Sequence, residues 1–232
     1  MLNIIYNEDV HEVAKEAAKI FEDLISKTIH KKGFAVVGFP GGRSIAPVLN
    51  EIRKTRISWS KVHIFMIDER LVSIDNVESN YRLLREQLFN DIIQKGKMPE
   101  KNLHPFILKN KADFGLKTYE EELENLGGKY DIIFLGAGED GHVGALYPGH
   151  KGLRLNDANY ISLHDSPKPP KDRMTASVKL LQKAQAAFLL FFWEAKKKAY
   201  TQFLDNRITL EKCPAKLVNN IEKVYILTDL KD

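Results

Sequence analysis

The stretch Tyr130-Asp-Ile-Ile-Phe-Leu-Gly-Ala-Gly-Glu-Asp-Gly-His-Val-Gly-Ala-Leu-Tyr-Pro-Gly149 begins with a short apolar run and continues as a glycine-rich segment. The run at 132–135 is typical of a strand that is covered on both faces of a sheet. The glycines after it allow tight, unusual φ/ψ values and leave room for a close neighbour; they are Gly136, Gly138 and Gly141. The stretch therefore predicts a buried strand that ends in a tightly turned loop.

This loop carries two reactive side chains, Asp140 and His142. Histidine titrates near physiological pH, so its imidazole can take a proton from water and return it to a leaving group. Asp140 could orient this imidazole or accept its proton. A histidine that merely caps the loop is the alternative. The glycines around His142 favour the catalytic interpretation.

Residues 136–141 also fit the dinucleotide fingerprint G-x-G-x-x-G letter for letter. That fingerprint requires a long helix after the third glycine, because the helix N-terminus holds the pyrophosphate. Gly144 follows almost at once, and Pro148-Gly149 ends any helix within about two turns. A nicotinamide or flavin site is therefore disfavoured, and no cofactor is expected.

Strand-like and helix-like segments alternate along the chain, which predicts one α/β domain over residues 1–232 with a mostly parallel sheet and helices on both faces. The predicted strands lie at 2–6, 34–39, 62–67, 105–108, 131–135, 174–178 and 223–228, and a very apolar segment lies at 186–193. The predicted helices lie at 10–29, 44–54, 79–93, 113–126 and 194–206. A looser stretch with four prolines covers 148–170. Trp193 and the pair Phe191-Phe192 are expected in the core.

Three predicted loops follow strands whose carboxyl ends should share one edge of the sheet, where α/β proteins bind their ligands. They are Pro40–Ser44, Asp68–Arg70 and the loop at 136–142. In the first loop, the backbone N–H groups of Gly41 and Gly42, the Ser44 hydroxyl and the Arg43 guanidinium could cradle a phosphate. A tight turn with Ser44 as a helix N-cap is the alternative.

The second loop has three consecutive charged residues at a strand end, Asp68-Glu69-Arg70. Their side chains cannot all point the same way, so at least one is expected to face the cleft. There Arg70 could hold a phosphate with two hydrogen bonds, and Asp68 could act as a base or orient one. A structural ion pair is the alternative.

Length and composition exclude several classes of function. The 232 residues are 44% hydrophobic, but no apolar run approaches the ~18 residues needed to span a bilayer, and the start lacks signal-peptide features. Cys213 is the single cysteine, which favours a reducing compartment, so a cytoplasmic protein is expected. A net charge of +4 with interspersed acids and bases is too mild for nucleic-acid binding but suits a small anionic substrate. The sequence has no metal-binding spacing and no G-x-S-x-G nucleophile motif.

Taken in order, four motifs make the chain resemble the 6-phosphogluconolactonase family over residues 2–228. They are Gly41-Gly42-Arg43-Ser44 with Pro47, Asp68–Val72 with Ser79-Asn80, the loop at 136–142 with Leu146–Gly149, and Arg173–Thr175 with Lys196. The resemblance implies a Rossmann-like sheet, no cofactor, and hydrolysis of 6-phospho-D-glucono-1,5-lactone to 6-phosphogluconate in the pentose phosphate pathway. It also implies that His142 is the general base, and that Arg70, Arg173 and Lys196 hold the phosphate.

The resulting site has two parts. Its catalytic part is expected to consist of His142, Asp140 and Asp68. Its substrate-binding part is expected to contain Gly41, Gly42, Arg43, Ser44, Arg70, Asn80, Gly138, Arg173 and Lys196. Three positions depart from the family pattern. Arg43 is inserted into a loop of the Ser-Gly-Gly-Ser-Thr-Pro type that here has no threonine, Trp193 stands where a glycine commonly precedes the lysine-bearing turn, and Gly144 replaces a more usual alanine or serine.

Two other functions on the same fold are alternatives. Glucosamine-6-phosphate deaminase shares the Asp-Gly-His loop but typically has a glutamate before the Pro-Gly pair, where this chain has Ala145-Leu146-Tyr147. Because deamination demands ring opening and proton shuttling, the missing acid favours the lactonase. A non-catalytic sugar-phosphate sensor would carry a helix-turn-helix segment, whereas this chain begins directly with a strand. A monomer or homodimer that takes a small sugar phosphate, without membrane or nucleic acid as partner, is expected.

Overall fold

A computed structural model describes residues 2–109, 115–155 and 159–231. The strands in this part of the chain are β1 (Leu2–Tyr6), β2 (Ala35–Phe39), β3 (Val62–Met66), β4 (Asp68–Arg70), β5 (Leu103–His104), β6 (Ile132–Gly136), β7 (Tyr160–Leu163), β8 (Arg173–Ala176), β9 (Ala186–Phe191) and β10 (Lys223–Thr228). Seven of them form a parallel sheet in the order β1-β10-β9-β6-β2-β3-β5. The other three form an antiparallel sheet in the order β4-β8-β7.

Helices connect the strands of the parallel sheet. They are α1 (Val10–Lys32), α2 (Ala46–Ile52), α3 (Asn80–Leu84), α4 (Asn90–Gln94), α5 (Leu116–Glu124), α6 (Val178–Gln182) and α7 (Lys197–Leu204). A π-helical turn, Arg85–Phe89, joins α3 to α4. Within the described ranges, no helix is both long enough and apolar enough to cross a membrane.

The core lies on the parallel sheet. Every residue of β2 and of β9 is buried, as expected for strands whose two faces are both covered. Phe134 of β6 stacks on Phe39 at 4.9 Å between ring centroids, and Phe21 of α1 meets Phe134 edge-on at 5.1 Å. Burial of each such ring stabilises the fold by about 1.5–3 kcal/mol. These contacts fix α1 against the middle of the sheet.

Local signals set the ends of the long helix α1. The Asp9 carboxylate accepts the His11 N–H at 2.8 Å as an N-cap, and Gly33 ends the helix with a φ of 90°. The helix thus reaches Lys32, one turn beyond the predicted end at residue 29.

The predicted α/β architecture with a mostly parallel sheet is confirmed, but four local predictions are wrong. The strand expected at 105–108 lies at Leu103–His104. Residues 68–70 form strand β4 rather than a loop, and the stretch 148–170 contains strand β7, because both pair with β8 in the second sheet. The helix predicted at 194–206 begins as a 3₁₀ turn and is α-helical only at 197–204. The start of the helix predicted at 113–126 lies outside the described residues.

The chain order of the sheet predicts where a ligand binds. Strands β2 and β6 are neighbours, and from this pair the chain runs to β3 and β5 on one side and to β9 and β10 on the other. The loops after β2 and β6 therefore leave the sheet in opposite directions. This reversal opens a crevice at the carboxyl ends of the strands, where open α/β sheets bind their ligands.

Candidate active site

A pocket of about 270 Å³ occupies this crevice. The three loops predicted to converge all reach it, and the turn after β9 forms a fourth wall. Of the residues predicted to form the site, the pocket wall includes Gly41, Gly42, Arg43, Ser44, Asp68, Arg70, Asn80, Gly138, His142, Arg173 and Lys196. Asp140 does not line the pocket and instead contacts His142.

His142 and Asp140 form a hydrogen-bonded pair. The Nδ1 atom of His142 lies 2.5 Å from Oδ1 of Asp140, and this oxygen also accepts the backbone N–H of His142 at 3.2 Å. Partial burial acts to raise the pKa of Asp140, but the hydrogen bonds and charge of His142 outweigh it and lower the pKa. Because Asp140 engages Nδ1, Nε2 is the imidazole nitrogen that remains for a ligand. The Tyr147 ring packs against the imidazole at 4.8 Å.

Gly138 is required by this imidazole. A Cβ atom at Gly138 would lie 2.0 Å from Nδ1 of His142 and 2.7 Å from Oδ1 of Asp140. The φ of Gly138 is not positive, nor is that of Gly136, so the expectation of unusual backbone angles holds only for Gly141, with a φ of 83°. Close approach rather than backbone freedom therefore explains the glycine at 138.

A second glycine of the pocket wall, Gly41, lies close to a polar side chain. A Cβ atom at Gly41 would lie 1.8 Å from the amide oxygen of Asn80. The amide nitrogen of Asn80 donates to the carbonyl oxygen of Asp68 at 2.8 Å, but its buried amide oxygen has no hydrogen-bond partner among the described residues. Buried polar atoms are rarely left unpaired in folded proteins. This oxygen lies directly against Gly41, so a residue with a side chain at position 41 would displace Asn80.

Two arginines stand opposite each other on the antiparallel sheet. Arg70 of β4 pairs directly with Arg173 of β8, and both line the pocket. Burial lowers the pKa of Arg173, and the charge of Arg70 lowers it further, whereas Asp68 opposes the shift. Like charges at such a position are destabilising. An anion bound between them would relieve this repulsion.

The hydrogen bonds of the two arginines differ. Arg173 donates from Nε to the carbonyl oxygen of Pro170 at 2.8 Å and from Nη2 to that of Pro169 at 2.9 Å. Arg70 donates from Nη1 to the carbonyl oxygen of Glu78, while its buried Nε has no partner among the described residues. Arg173 therefore shapes the proline loop, whereas Arg70 holds the segment that precedes α3.

The side chains of Asp68 and Glu69 point to different surroundings, as the sequence predicted. Asp68 lines the pocket, and burial raises its pKa although Arg70, Arg173 and His142 act to lower it. Glu69 lies behind the wall, where burial raises its pKa although backbone N–H groups donate to it. Its carboxylate accepts from the N–H groups of residues 70, 80 and 81 and from the Ser79 hydroxyl, all at 2.7–3.0 Å. Glu69 is thus a structural acid that fixes the start of α3.

Replacing Glu69 by glutamine is expected to destabilise the protein. The amide group keeps one acceptor oxygen and presents donors to backbone N–H groups, so buried donors lose their partner. We expect a loss of about 2–4 kcal/mol in the free energy of unfolding, measured by urea denaturation. The matched change Glu78→Gln, at an exposed carboxylate in the same segment, should stay within about 0.5 kcal/mol. Equal stabilities of the two variants would contradict the structural role of Glu69.

Basic side chains form another wall of the pocket. Lys196 is half-buried there, and burial lowers its pKa; Lys168 and Arg43 lower it further, whereas Glu139 and Asp140 act to raise it. Lys168 lines the pocket but is absent from the predicted site. It lies in a proline-rich loop without a motif, so its basic charge is the one signal in the sequence that could have indicated it.

The core prediction for Trp193 is wrong. Phe191 and Phe192 are fully buried, but Trp193 is 40% exposed and lines the pocket. Strand β9 ends at Phe191, and the chain then turns away from the sheet.

Two further sequence inferences concern cofactors and metals. The described residues 142–149 form no helix, so the fingerprint at 136–141 lacks the element that a pyrophosphate requires. In the described part of the chain, no three His, Cys, Asp or Glu side chains converge as metal ligands would.

The arrangement of loops and charges is matched by known proteins. The family model described as glucosamine-6-phosphate isomerases/6-phosphogluconolactonase matches residues 8–226. The chain belongs to this family. It is 30% identical over 212 residues to a Borreliella burgdorferi protein named 6-phosphogluconolactonase, with 91% of this chain and 90% of the relative covered.

Solved structures of family members have the same fold. A 6-phosphogluconolactonase from Thermotoga maritima superposes with a TM-score of 0.84 at 25% identity, over 98% of this chain and 99% of the other. A monomeric glucosamine-6-phosphate deaminase superposes with a TM-score of 0.79 at 22% identity, over 97% and 96% of the two chains. The second likeness concerns the fold alone.

Proposed function

We propose that the protein hydrolyses 6-phospho-D-glucono-1,5-lactone to 6-phospho-D-gluconate. The observation that carries this proposal is the His142–Asp140 pair at the wall of a pocket rich in basic side chains. The imidazole supplies a base for water, and the basic walls suit a phosphorylated substrate. The relatives named 6-phosphogluconolactonase support the same reaction.

In the proposed mechanism, His142 takes a proton from water as the water oxygen bonds to the lactone carbonyl carbon. The negative charge that develops on the carbonyl oxygen is stabilised by backbone N–H groups of the glycine loops or by a basic side chain. The tetrahedral intermediate then collapses, and the bond from this carbon to the ring oxygen breaks. The imidazolium returns its proton to the departing ring oxygen, which leaves the open-chain acid and the neutral base.

Asp140 and Asp68 have different parts in this proposal. Asp140 accepts a hydrogen bond from Nδ1–H of His142, which holds the imidazole in the tautomer whose Nε2 can act as a base. Asp68 is a buried carboxyl group that interacts electrostatically with the guanidinium groups of Arg70 and Arg173, and we assign it the positioning of both. The side-chain amide of Asn80 donates a hydrogen bond to the backbone carbonyl oxygen of Asp68 and holds that residue in place.

The phosphate is assigned to the basic walls. Arg43, Arg70, Lys168, Arg173 and Lys196 all line the pocket. Binding of the phosphate at a distance from the reacting carbonyl converts binding energy into correct placement of that carbonyl. Gly41, Gly42 and Ser44 add backbone and hydroxyl donors at the turn after β2, where Gly42 has a φ of 87°.

Removal of the lysine at 196 tests this assignment. We expect Lys196→Ala to raise KM for the phosphorylated lactone by about ten- to a hundredfold, because hydrogen bonds to charged groups contribute about 1.5–3 kcal/mol. The same variant should hydrolyse glucono-1,5-lactone, which lacks the phosphate, as the parent protein does. Lys198→Ala removes an exposed lysine from the same segment and is the matched control. Equal losses on both substrates would contradict phosphate binding by Lys196.

Deamination of glucosamine 6-phosphate is the second candidate. The stretch that follows His142 has no acid, and Val143, Ala145 and Leu146 are fully buried. This apolar packing favours the hydrolase, which needs one activated water and one protonated leaving oxygen. We further propose a cytoplasmic protein without metal or cofactor.

A further inference from the structure

The backbone of Trp193 has an unusual conformation. Its φ of 71° and ψ of 152° fall in a region that is essentially restricted to glycine. Trp193 is the one residue other than glycine with a positive φ in the part of the chain that the structure describes. A glycine would adopt this turn without strain, so the presence of a large side chain here needs an explanation.

Two hydrogen bonds hold this strained turn. The backbone N–H of Trp193 donates to the Asp229 carboxylate at 2.8 Å, and its carbonyl oxygen accepts the N–H of Lys196 at 2.8 Å. The turn therefore sets the direction of the Trp193 side chain together with the start of the segment that carries Lys196.

The indole of Trp193 forms an apolar part of the pocket wall. It is 40% exposed and lines the pocket together with charged and polar groups. The other large ring of the wall, Tyr147, is only 4% exposed and packs against His142. Binding pockets for organic ligands combine aromatic faces with a few polar groups. A six-membered sugar ring presents C–H groups on its face and hydroxyls at its edge, and thus fits such a wall.

We propose that Trp193 is a specificity-determining residue that packs its indole on the ring of the bound sugar phosphate. The nature of the reacting substrate rests on the proposed function, but the contact itself requires only a closed hexose ring with a phosphate. The strained backbone is then the cost of presenting this side chain at the pocket.

Intrinsic fluorescence tests the contact without turnover. The chain has two tryptophans, and the other, Trp59, is 3% exposed in the core. Glucose 6-phosphate should change the emission of the wild type, inorganic phosphate should change it much less, and Trp193→Phe should abolish the response. An unchanged emission at concentrations where calorimetry detects bound glucose 6-phosphate would overturn the proposal.

Measurements of KM and of the melting temperature separate the effect of the indole ring from that of the strained backbone at Trp193. Trp193→Gly and Trp193→Ala should both raise KM for the phosphorylated lactone about five- to tenfold, with kcat little changed. Trp193→Gly should melt about 2–4 °C above Trp193→Ala, because alanine retains the strain that glycine removes. An unchanged KM in both variants would overturn the role of Trp193 and leave the lactonase function intact. If the wild type has no lactonase activity, the proposed function is wrong. The fluorescence response to glucose 6-phosphate would still show whether Trp193 contacts a bound sugar phosphate.

Discussion

Replacement of His142 by glutamine is expected to lower kcat for lactone hydrolysis by about 10³-fold. Glutamine retains polar atoms near the position of the imidazole but cannot accept a proton from water or return it to the leaving oxygen. KM should change little, because the proposed phosphate contacts come from other walls of the pocket. The measurement is the initial rate with freshly prepared lactone, corrected for spontaneous hydrolysis.

A second His–Asp pair provides the control for this substitution. The Nδ1 atom of His164 lies 2.7 Å from Oδ1 of Asp172, outside the pocket wall. His164→Gln should therefore retain kcat within about threefold, since surface changes away from such sites have small effects. Near-wild-type turnover of His142→Gln would remove His142 from the mechanism.

Replacement of Gly138 by alanine is expected to lower kcat by about 10²-fold with the histidine still present. The new methyl carbon would lie 2.0 Å from Nδ1 and 2.1 Å from Cε1 of His142, so the imidazole must move. A displacement of about 1 Å in a catalytic group can cost 10²-fold in rate. Since a side chain rather than the backbone gives way, the protein should fold, with a melting temperature close to that of the wild type.

The matched control, Gly136, lies two residues earlier, at the end of strand β6. A Cβ atom at Gly136 would meet only Cβ of Ser44 at 3.9 Å, an ordinary contact, and the φ of Gly136 is not positive. Gly136→Ala should stay within a few-fold of the wild-type rate. Equal activity of Gly138→Ala and Gly136→Ala would show that the position of the imidazole does not limit the reaction.

The central strands β2, β6 and β9 were predictable because they are continuous apolar runs that are buried on both faces. The second sheet was not. Its strands have only three or four residues, and β4 consists of three charged residues, so no alternation marks them. The pairing of β4 with β8 joins segments about a hundred residues apart, and no local pattern encodes it.

Two parts of the candidate site were predictable from strand ends: His142 lies in a glycine-rich loop, and Arg70 belongs to a run of three charged residues. Lys168 is one of several basic residues in the last third of the chain that could neutralise a phosphate, but it was left out of the predicted site because no motif distinguishes it from a solvated surface lysine. Trp193 was misplaced because it follows a continuous apolar run. Apolar sequence alone cannot show where a strand ends and the chain turns outward.

One measurement tests the central claim most directly: the time course of 6-phosphogluconolactone disappearance with the wild-type protein, beside ammonia release from glucosamine 6-phosphate. We expect lactone loss far above the spontaneous rate, with 6-phosphogluconate as the product and no ammonia. Lactone loss at the spontaneous rate would contradict the proposed function, and ammonia release would assign the site to deamination.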